Sequence, residues 1–212
     1  MKMGVLGSGM VAQALSARLA ELGHDVVIGT RDAEKLRGWQ SSNQRVKIAS
    51  FAQTAAHGEM VFNATNGAGS LQALAMAGAE NLNGKILIDV SNPFDFTNGF
   101  PPSLFVCGTD SLAEQIQRAF PYTKVVKTLN TITARVMVYP QEVADGDHHV
   151  FISGNDSDAK LQVIDLLRAF GWINIFDLGD LTTARGAEAY MLLWVRLFGS
   201  MNTGMINIKI MK

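Results

Sequence analysis

The chain has 212 residues, 48% hydrophobic and 17% charged, enough for one well-buried α/β domain with a small appendage but cramped for two full domains. A net charge of −1 excludes the basic field that would draw nucleic acid or an anionic membrane surface, and directs attention to small-molecule partners. The single cysteine, Cys107, cannot close an internal disulfide, which suits a reducing compartment; it reads as a small hydrophobe in a strand rather than as a nucleophile.

The first element is a short buried strand, Lys2–Leu6, that runs into Gly7-Ser8-Gly9-Met10-Val11-Ala12. Gly7 can take the positive φ of a tight bend, and Gly9 has no side chain to hold a pyrophosphate away from the backbone. Ala12 lets the following helix pack close to the strand. That helix, Met10 to Leu22, stops at Gly23, and its N-terminal N–H groups and dipole form an anion site. A glycine pattern of this kind is weak alone; its place between a first strand and an amphipathic helix strengthens it over an ordinary strand-turn-helix.

The second strand, Asp25–Gly29, ends at Gly29-Thr30-Arg31. An acidic residue there would bind the ribose hydroxyls of NAD and repel a 2′-phosphate. Instead Gly29 leaves room, Thr30 offers a hydroxyl, and Arg31 supplies a permanently charged fork, with Lys35 four residues on as a second cation. The pattern predicts NADPH over NADH. The alternative is that Arg31 and Lys35 are solvated charges beside Asp32 and Glu34.

Further strands are predicted at Val46–Ala49, Met60–Ala64, Lys85–Val90, Phe105–Cys107, Lys124–Thr128, His149–Ser153 and Asn174–Phe176. Helices are predicted at Ala33–Gln40, Phe51–Ala56, Leu71–Ala77, Leu112–Ala119 and Ala159–Phe170, with a capping box at Ser111 to Glu114. This alternation predicts an α/β class with a doubly wound, mainly parallel sheet, helices on both faces, and ligands at the C-terminal strand ends. Three loops at those ends carry small and amide-bearing residues suited to a ribose and a nicotinamide amide: Ala64-Thr65-Asn66-Gly67, Ser91-Asn92-Pro93 and Asn130-Thr131. Each is also a good turn former. The aromatic, Pro-rich segment Asn92 to Ser103 reads as a pocket wall, a lid or a subunit contact.

Residues 1–180 are expected to form the dinucleotide-binding domain, and residues 181–212 a C-terminal helix and tail serving as pocket wall or dimer contact. Thr182-Thr183 can cap that helix, whose apolar stripe is Ala184, Ala187, Met191, Val195 and Phe198. Glu188 lies off this stripe and pairs with Arg185; Gly199 ends the helix, and Asn207–Met211 can add a strand. No metal-ligand spacing occurs among the histidines, and neither a nucleophile elbow nor a pair of catalytic carboxylates is evident, so no catalytic residue is named. Hydride transfer between two flat conjugated rings needs none, because positioning does most of the work. The start of the chain has no h-region, and the apolar run Tyr190 to Phe198 is broken by Arg196 and far below the ~20 residues of a membrane span. The expectation is a soluble cytoplasmic protein without metal or nucleic acid, forming a homodimer through the C-terminal helix and the Phe-rich loop.

Taken together, Gly7 to Ala12, Gly29-Thr30-Arg31-Asp32, Val126-Lys127-Thr128-Leu129-Asn130-Thr131, Ala184-Arg185, Glu188-Ala189-Tyr190 and Leu192-Leu193-Trp194 resemble the motifs of the F420-dependent NADP oxidoreductases. The resemblance runs along most of the chain and implies a Rossmann-type fold. It implies Ser8, Gly9, Met10 and Val11 on the pyrophosphate, and Thr30, Arg31 and Lys35 on the 2′-phosphate. Ala64, Thr65, Asn66 and Ser91, and the loop carrying Asn130, Ile132 and Ala134, would then lie beside the nicotinamide. The implied second substrate is coenzyme F420 or a flavin, FMN or FAD. The same dinucleotide fold also resembles the reductase domain of the STEAP metalloreductases. A reductase of a small carbonyl or imine, and a non-catalytic NADP(H) sensor, are the competing readings.

Overall fold

In the computed structural model, which describes residues 1–211, the run Lys2–Leu6 (β1) is buried from Met3 onward and passes through Gly7–Gly9 into helix α1, Met10–Glu21. α1 ends as its glycine predicts: the Gly23 N–H donates to Ala20 O and the His24 N–H to Leu19 O, both at 3.1 Å. Strand β2, Asp25–Gly29, returns beside β1. In place of the single helix expected at Ala33–Gln40 stand a 3₁₀ turn, Ala33–Leu36, and a short helix α2, Arg37–Ser41. Asp32 caps the turn and Gly38 weakens the helix that follows.

The chain continues through β3 (Lys47–Ala49), α3 (Phe51–His57), β4 (Met60–Asn63), α4 (Ser70–Ala77), α5 (Ala79–Leu82) and β5 (Ile86–Asp89). Two short strands, β6 (Phe94–Asp95) and β7 (Ser103–Leu104), then pair antiparallel and fold the aromatic segment into a hairpin. The strand expected at Phe105–Cys107 does not form. The Phe105 N–H donates to Pro93 O at 3.0 Å, and Gly108 at φ +84° turns the chain away, leaving Cys107 exposed. Next come α6 (Leu112–Ala119), β8 (Lys124–Thr128), α7 (Ala134–Val138), β9 (His149–Gly154), α8 (Ser157–Phe170) and β10 (Asn174–Gly179).

These strands make one eight-stranded sheet in the order β10-β9-β8-β5-β4-β1-β2-β3, parallel throughout except where β9 runs against β8. Side chains alternate across it and build two cores. Met3, Val5, Phe62, Ile88 and Val126 face α1, α7 and α8, whereas Leu6, Val61, Leu87 and Val125 face α3 to α6. The reversal of strand order between β1 and β4 opens a crevice at the C-terminal edge, where ligands of doubly wound folds bind.

After β10, Asp180 caps a 3₁₀ turn by accepting the Thr182 N–H at 3.0 Å, so the cap is this aspartate and not the threonines. Helices α9 (Ala184–Ala189) and α10 (Met191–Met201) follow. Gly199 does not end α10, which runs on to Met201 and stops at Asn202, a residue type that tolerates the left-handed region it occupies at φ 50°. Residues Asn207–Met211 add no strand. One backbone bond, His149 N–H to Ile208 O at 3.0 Å, joins them to β9, and the Asn207 side chain makes the neighbouring contacts.

Candidate active site

The glycine turn has the geometry its residues require. Gly7 sits at φ +128°, donates its N–H to Gly29 O at 3.0 Å, and lies so close to β4 that a Cβ would fall 2.4 Å from Ala64 O. Gly9 precedes α1 with no side chain capping the helix, and a Cβ there would meet nothing within 4 Å. The first turn of α1 therefore opens onto free space with no acidic residue beside it, the setting in which backbone N–H groups hold a phosphate. Ser8 is fixed through its carbonyl, which accepts from Gln13 Nε2 at 2.9 Å. Met10 is 82% exposed and does not line the cleft beside the turn.

This turn floors a cleft of about 280 Å³ whose walls include Thr30, Arg31, Lys35, Ala64, Thr65 and Asn66. Thr30 is nearly buried, and its hydroxyl bonds Asp32 N and Asp32 O at 3.1 and 3.0 Å, shaping the loop that carries Arg31. Asp32 also lines this cleft; its carboxylate accepts the Glu34 N–H at 3.1 Å, and among the described residues it makes no ion pair with Arg31 or Lys35, while Glu34 pairs with Arg37. The cleft thus carries two cations against one carboxylate, a positive balance that fits a nucleotide with an additional phosphate. Gly29 does not provide room for that phosphate; a Cβ would lie 2.9 Å from Thr54 Oγ1 and 3.0 Å from Phe51 Cδ1, so the glycine serves helix α3.

At the other side of Thr65 and Asn66 a smaller cavity, about 170 Å³, is walled by Val11, Ala64, Ser91, Asn92, Phe94 and Phe96. A third space of about 710 Å³ shares Asn66, Gly67, Phe94 and Phe96 with it and adds Phe105, Leu112 and Gln115. The order along the crevice is cations, glycine turn, polar loops, aromatic pocket.

A buried polar network holds the polar loops. Asn63 donates to Asp89 Oδ1 at 2.8 Å and accepts the Thr65 hydroxyl at 2.6 Å. Asp89 Oδ1 also accepts the Ser91 hydroxyl at 2.7 Å, and Asp89 Oδ2 accepts from Lys127 Nζ at 2.8 Å. Lys127 further bonds Ser91 O at 2.5 Å and Glu188 Oε1 at 2.9 Å. Burial pulls the Lys127 pKa down, but Asp89 and Glu188 outweigh it and leave the ammonium above the usual lysine value. Glu188 completes the set by accepting the Leu112 and Ala113 N–H groups of α6 at 2.8 and 3.1 Å. These carboxylates were not evident in the sequence as a pair because they lie far apart in the chain. The pairing expected between Arg185 and Glu188 is replaced: Arg185 faces outward to Glu114 at 2.6 Å, while Glu188 shares the buried face with Ala184 and Ala187.

Three residues expected at the nicotinamide stand back from the cavity walls. Asn130 is buried, bonding Asn92 Oδ1 at 2.9 Å and Ala187 O at 3.1 Å, and so positions Asn92. Ile132 lies in the α1-side core, and Ala134 starts α7, half-buried. Among the described residues no His, Cys, Asp and Glu cluster could hold a metal ion, and no helix is long and apolar enough to cross a membrane.

Comparison with known proteins gives the chain's family. Residues 2–93 match the family described as NADP oxidoreductase, coenzyme F420-dependent. The F420-dependent NADP reductase of Methanothermobacter marburgensis is 30% identical over 212 aligned positions, covering 93% of this chain and 92% of that one. Metalloreductase STEAP3 of Rattus norvegicus is 34% identical over 193 positions, 90% of this chain, but the chain spans only 36% of that protein's length. A crystal structure of a candidate F420-dependent NADP reductase from Arthrobacter sp. FB24 superposes with a TM-score of 0.98 at 51% identity, over the full length of both chains.

Proposed function

This chain belongs to the F420-dependent NADP oxidoreductase family of NADP-dependent oxidoreductases, and we propose that it transfers a hydride between NADP(H) and a flat deazaflavin or flavin. The observation that carries this reading is the adjacency of the cavities: the cationic cleft over the glycine turn, the small polar cavity and the aromatic pocket all share Asn66 as a wall residue. A dinucleotide fills the first two and a planar acceptor the third. The family name, and those of the M. marburgensis and Arthrobacter relatives, point to coenzyme F420 as one such acceptor.

Nicotinamide supplies the hydride: NADPH, acceptor and a proton become NADP⁺ and the two-electron-reduced acceptor, the hydride carrying the electron pair and water supplying the proton. The protein contributes position. Arg31, Lys35 and the α1 N-terminus would hold the phosphates, and Thr65, Asn66 and Ser91 would border the nicotinamide in a cavity that Phe94 and Phe96 wall on one side. Lys127, Asp89 and Asn63 keep Ser91 and Thr65 in place. A homodimer is proposed on the exposed apolar residues of α10, Leu193, Phe198 and Met201.

The test is anaerobic mixing of protein and NADPH with oxidised F420 and, separately, with FMN, following the absorbance of each acceptor. Reduction of either supports the reading. Tight NADPH binding with neither acceptor reduced would replace it.

A further inference from the structure

Gly67 and Phe94 are among the residues that wall both the small polar cavity and the aromatic pocket. One carbonyl governs them both. Asn92 O accepts the Phe94 N–H at 2.8 Å, and it presses so near Gly67 that a Cβ on that glycine would fall 1.9 Å from it. The same Cβ would lie 3.1 Å from Leu112 Cδ2, a wall of the aromatic pocket. The chain after β4 therefore presents bare backbone where the two spaces adjoin, and no side chain fits there.

Asn92 does not hold this carbonyl unaided, because its amide is tied at both ends to Asn130. Asn92 Oδ1 accepts from Asn130 Nδ2 at 2.9 Å, and Asn92 Nδ2 donates to Asn130 O at 2.8 Å. Asn130 Nδ2 also donates to Ala187 O of α9 at 3.1 Å. Asn130 is buried, and so is the residue before it, Leu129, whose φ of 61° lies in the left-handed region that an L side chain rarely adopts. Leu129 directly follows Thr128, the last residue of β8, so this strained turn is what carries Asn130 off the sheet to the loop after β5. Such strain persists only where the surrounding structure fixes it, and it collects at sites where position matters. Asn130 itself walls neither space, so whatever it does for a ligand passes through Asn92.

From this arrangement we infer that Asn130 is a positioning residue for hydride transfer: by clamping Asn92 it sets Gly67 and Phe94, and with them the approach of the nicotinamide to the acceptor ring. The inference rests on the acceptor reading above and adds a residue to it. The step itself is unchanged: a C–H bond of the dihydronicotinamide breaks, its electron pair goes with the hydrogen to the acceptor, and water supplies the proton. Such a transfer is steep in distance, since the reacting atoms must come within about 3–3.5 Å of each other. The groups proposed for the phosphates lie in the neighbouring cleft, so loosening Asn92 leaves the affinity for the coenzyme nearly intact.

The test compares the parent chain with Asn130→Ala, Asn92→Ala and the double variant, each first shown to be folded by a thermal melt. Titration with NADPH, followed by its own fluorescence, gives Kd, and the fluorescence lifetime of the bound coenzyme reports how firmly the nicotinamide is held. Anaerobic single turnovers with F420 or FMN, using NADPH with and without deuterium at C4, isolate the hydride step. The expected result for N130A is a Kd within about twofold of the parent, a shorter bound lifetime, and a hydride step slower by about tenfold or more. N92A should do the same, and the double variant should be no slower than the slower single one, because both act through one contact. Asn92 is only half-buried, so N92A decides alone if N130A does not fold. A parent-like lifetime, a parent-like hydride rate, a slower step matched by an equal loss of NADPH affinity, or losses that multiply in the double variant would each overturn the inference. A parent chain that reduces neither acceptor would remove the acceptor reading; a shortened lifetime would then still uphold the positioning of the nicotinamide, and a parent-like one would overturn it.

Discussion

Glu188 and Lys127 meet at 2.9 Å with both side chains all but sealed from water, and Asp89 completes the pair from the other side at 2.8 Å. Two strands and a C-terminal helix thus converge on one ammonium group. The same carboxylate caps α6, so a single side chain ties the loop carrying Ser91 to the wall of the aromatic pocket. Removing one partner from a buried ion pair leaves a desolvated charge, which costs several kcal/mol. Glu188→Gln is expected to lower stability by about 3 kcal/mol in urea denaturation, since Asp89 still offsets part of the lysine charge. A loss under about 1 kcal/mol would mean that the network is dispensable to the fold.

Gly7 and Gly9 lie two residues apart and serve different ends. Gly7→Ala drives a Cβ to 2.4 Å from Ala64 O at φ +128°, and is expected to destabilise the fold by about 2–4 kcal/mol. At Gly9 the backbone is extended, φ −78°, and a Cβ meets nothing within 4 Å. Gly9→Ala should therefore unfold like the parent protein yet bind NADPH about tenfold more weakly, because the methyl group enters the space assigned to the pyrophosphate. Thermal melts with NADPH titration separate the two, and unimpaired binding by G9A would displace the phosphates from this turn.

Arg31 faces the nucleotide cleft without a carboxylate partner among the described residues. Arg31→Ala is expected to weaken NADPH by about 1–3 kcal/mol, the worth of a charged hydrogen-bonding group, and to leave NADH nearly unchanged. Titration calorimetry with both coenzymes reads the difference. An equal loss for both would place Arg31 away from the 2′-phosphate.

Much of this crevice is legible in the chain before any coordinates, because the local signals are strong. Gly7, Gly23 and the Ser111 cap each announce a backbone geometry within a few residues, and the β-branched runs mark the buried strands. What escapes is non-local. Lys127, Asp89 and Glu188 look like ordinary charges until the topology stacks β5, β8 and α9. The only available hint is that Lys127 and Asp89 fall inside runs apolar enough to be sheet interior, where a charge needs a partner. The error at Arg185 has the same origin: an i,i+3 spacing permits a helical pair, but burial of one partner takes Glu188 to a distant lysine instead. The hairpin β6–β7 was hidden because two-residue strands carry almost no periodicity.

On α10 only Met191 and Val195 are buried, while Leu193, Phe198 and Met201 are 54%, 39% and 55% exposed. The Trp194 ring stacks on Phe198 at 5.6 Å, which makes that surface flat and aromatic. If it is the dimer contact, light scattering will give a dimer for the parent chain and a monomer for Phe198→Glu, since a charge at the centre of an apolar contact has no partner. A parent monomer at micromolar concentration would remove the proposed contact.

The acid limb of stability has an identifiable contributor on the outer side of α6. The Arg118 guanidinium, with help from Gln115 and the Ser111 N–H, holds the Asp110 carboxyl at about 2 against an ordinary 3.8. A carboxyl whose folded pKa is depressed stabilises the native state fully above its unfolded value and loses that contribution as pH falls through the folded one. The window is therefore pH 3.8 down to about 2. Asp110→Asn cannot titrate, so the stability difference between it and the parent chain should be constant near neutrality and should shrink across that window. Carboxylates common to both chains, such as Glu142 and Asp156, cancel from the difference. Denaturant melts at a series of acid pH values would reveal the convergence, and a difference that persists unchanged to pH 2 would mean that Asp110 is not ion-paired in solution.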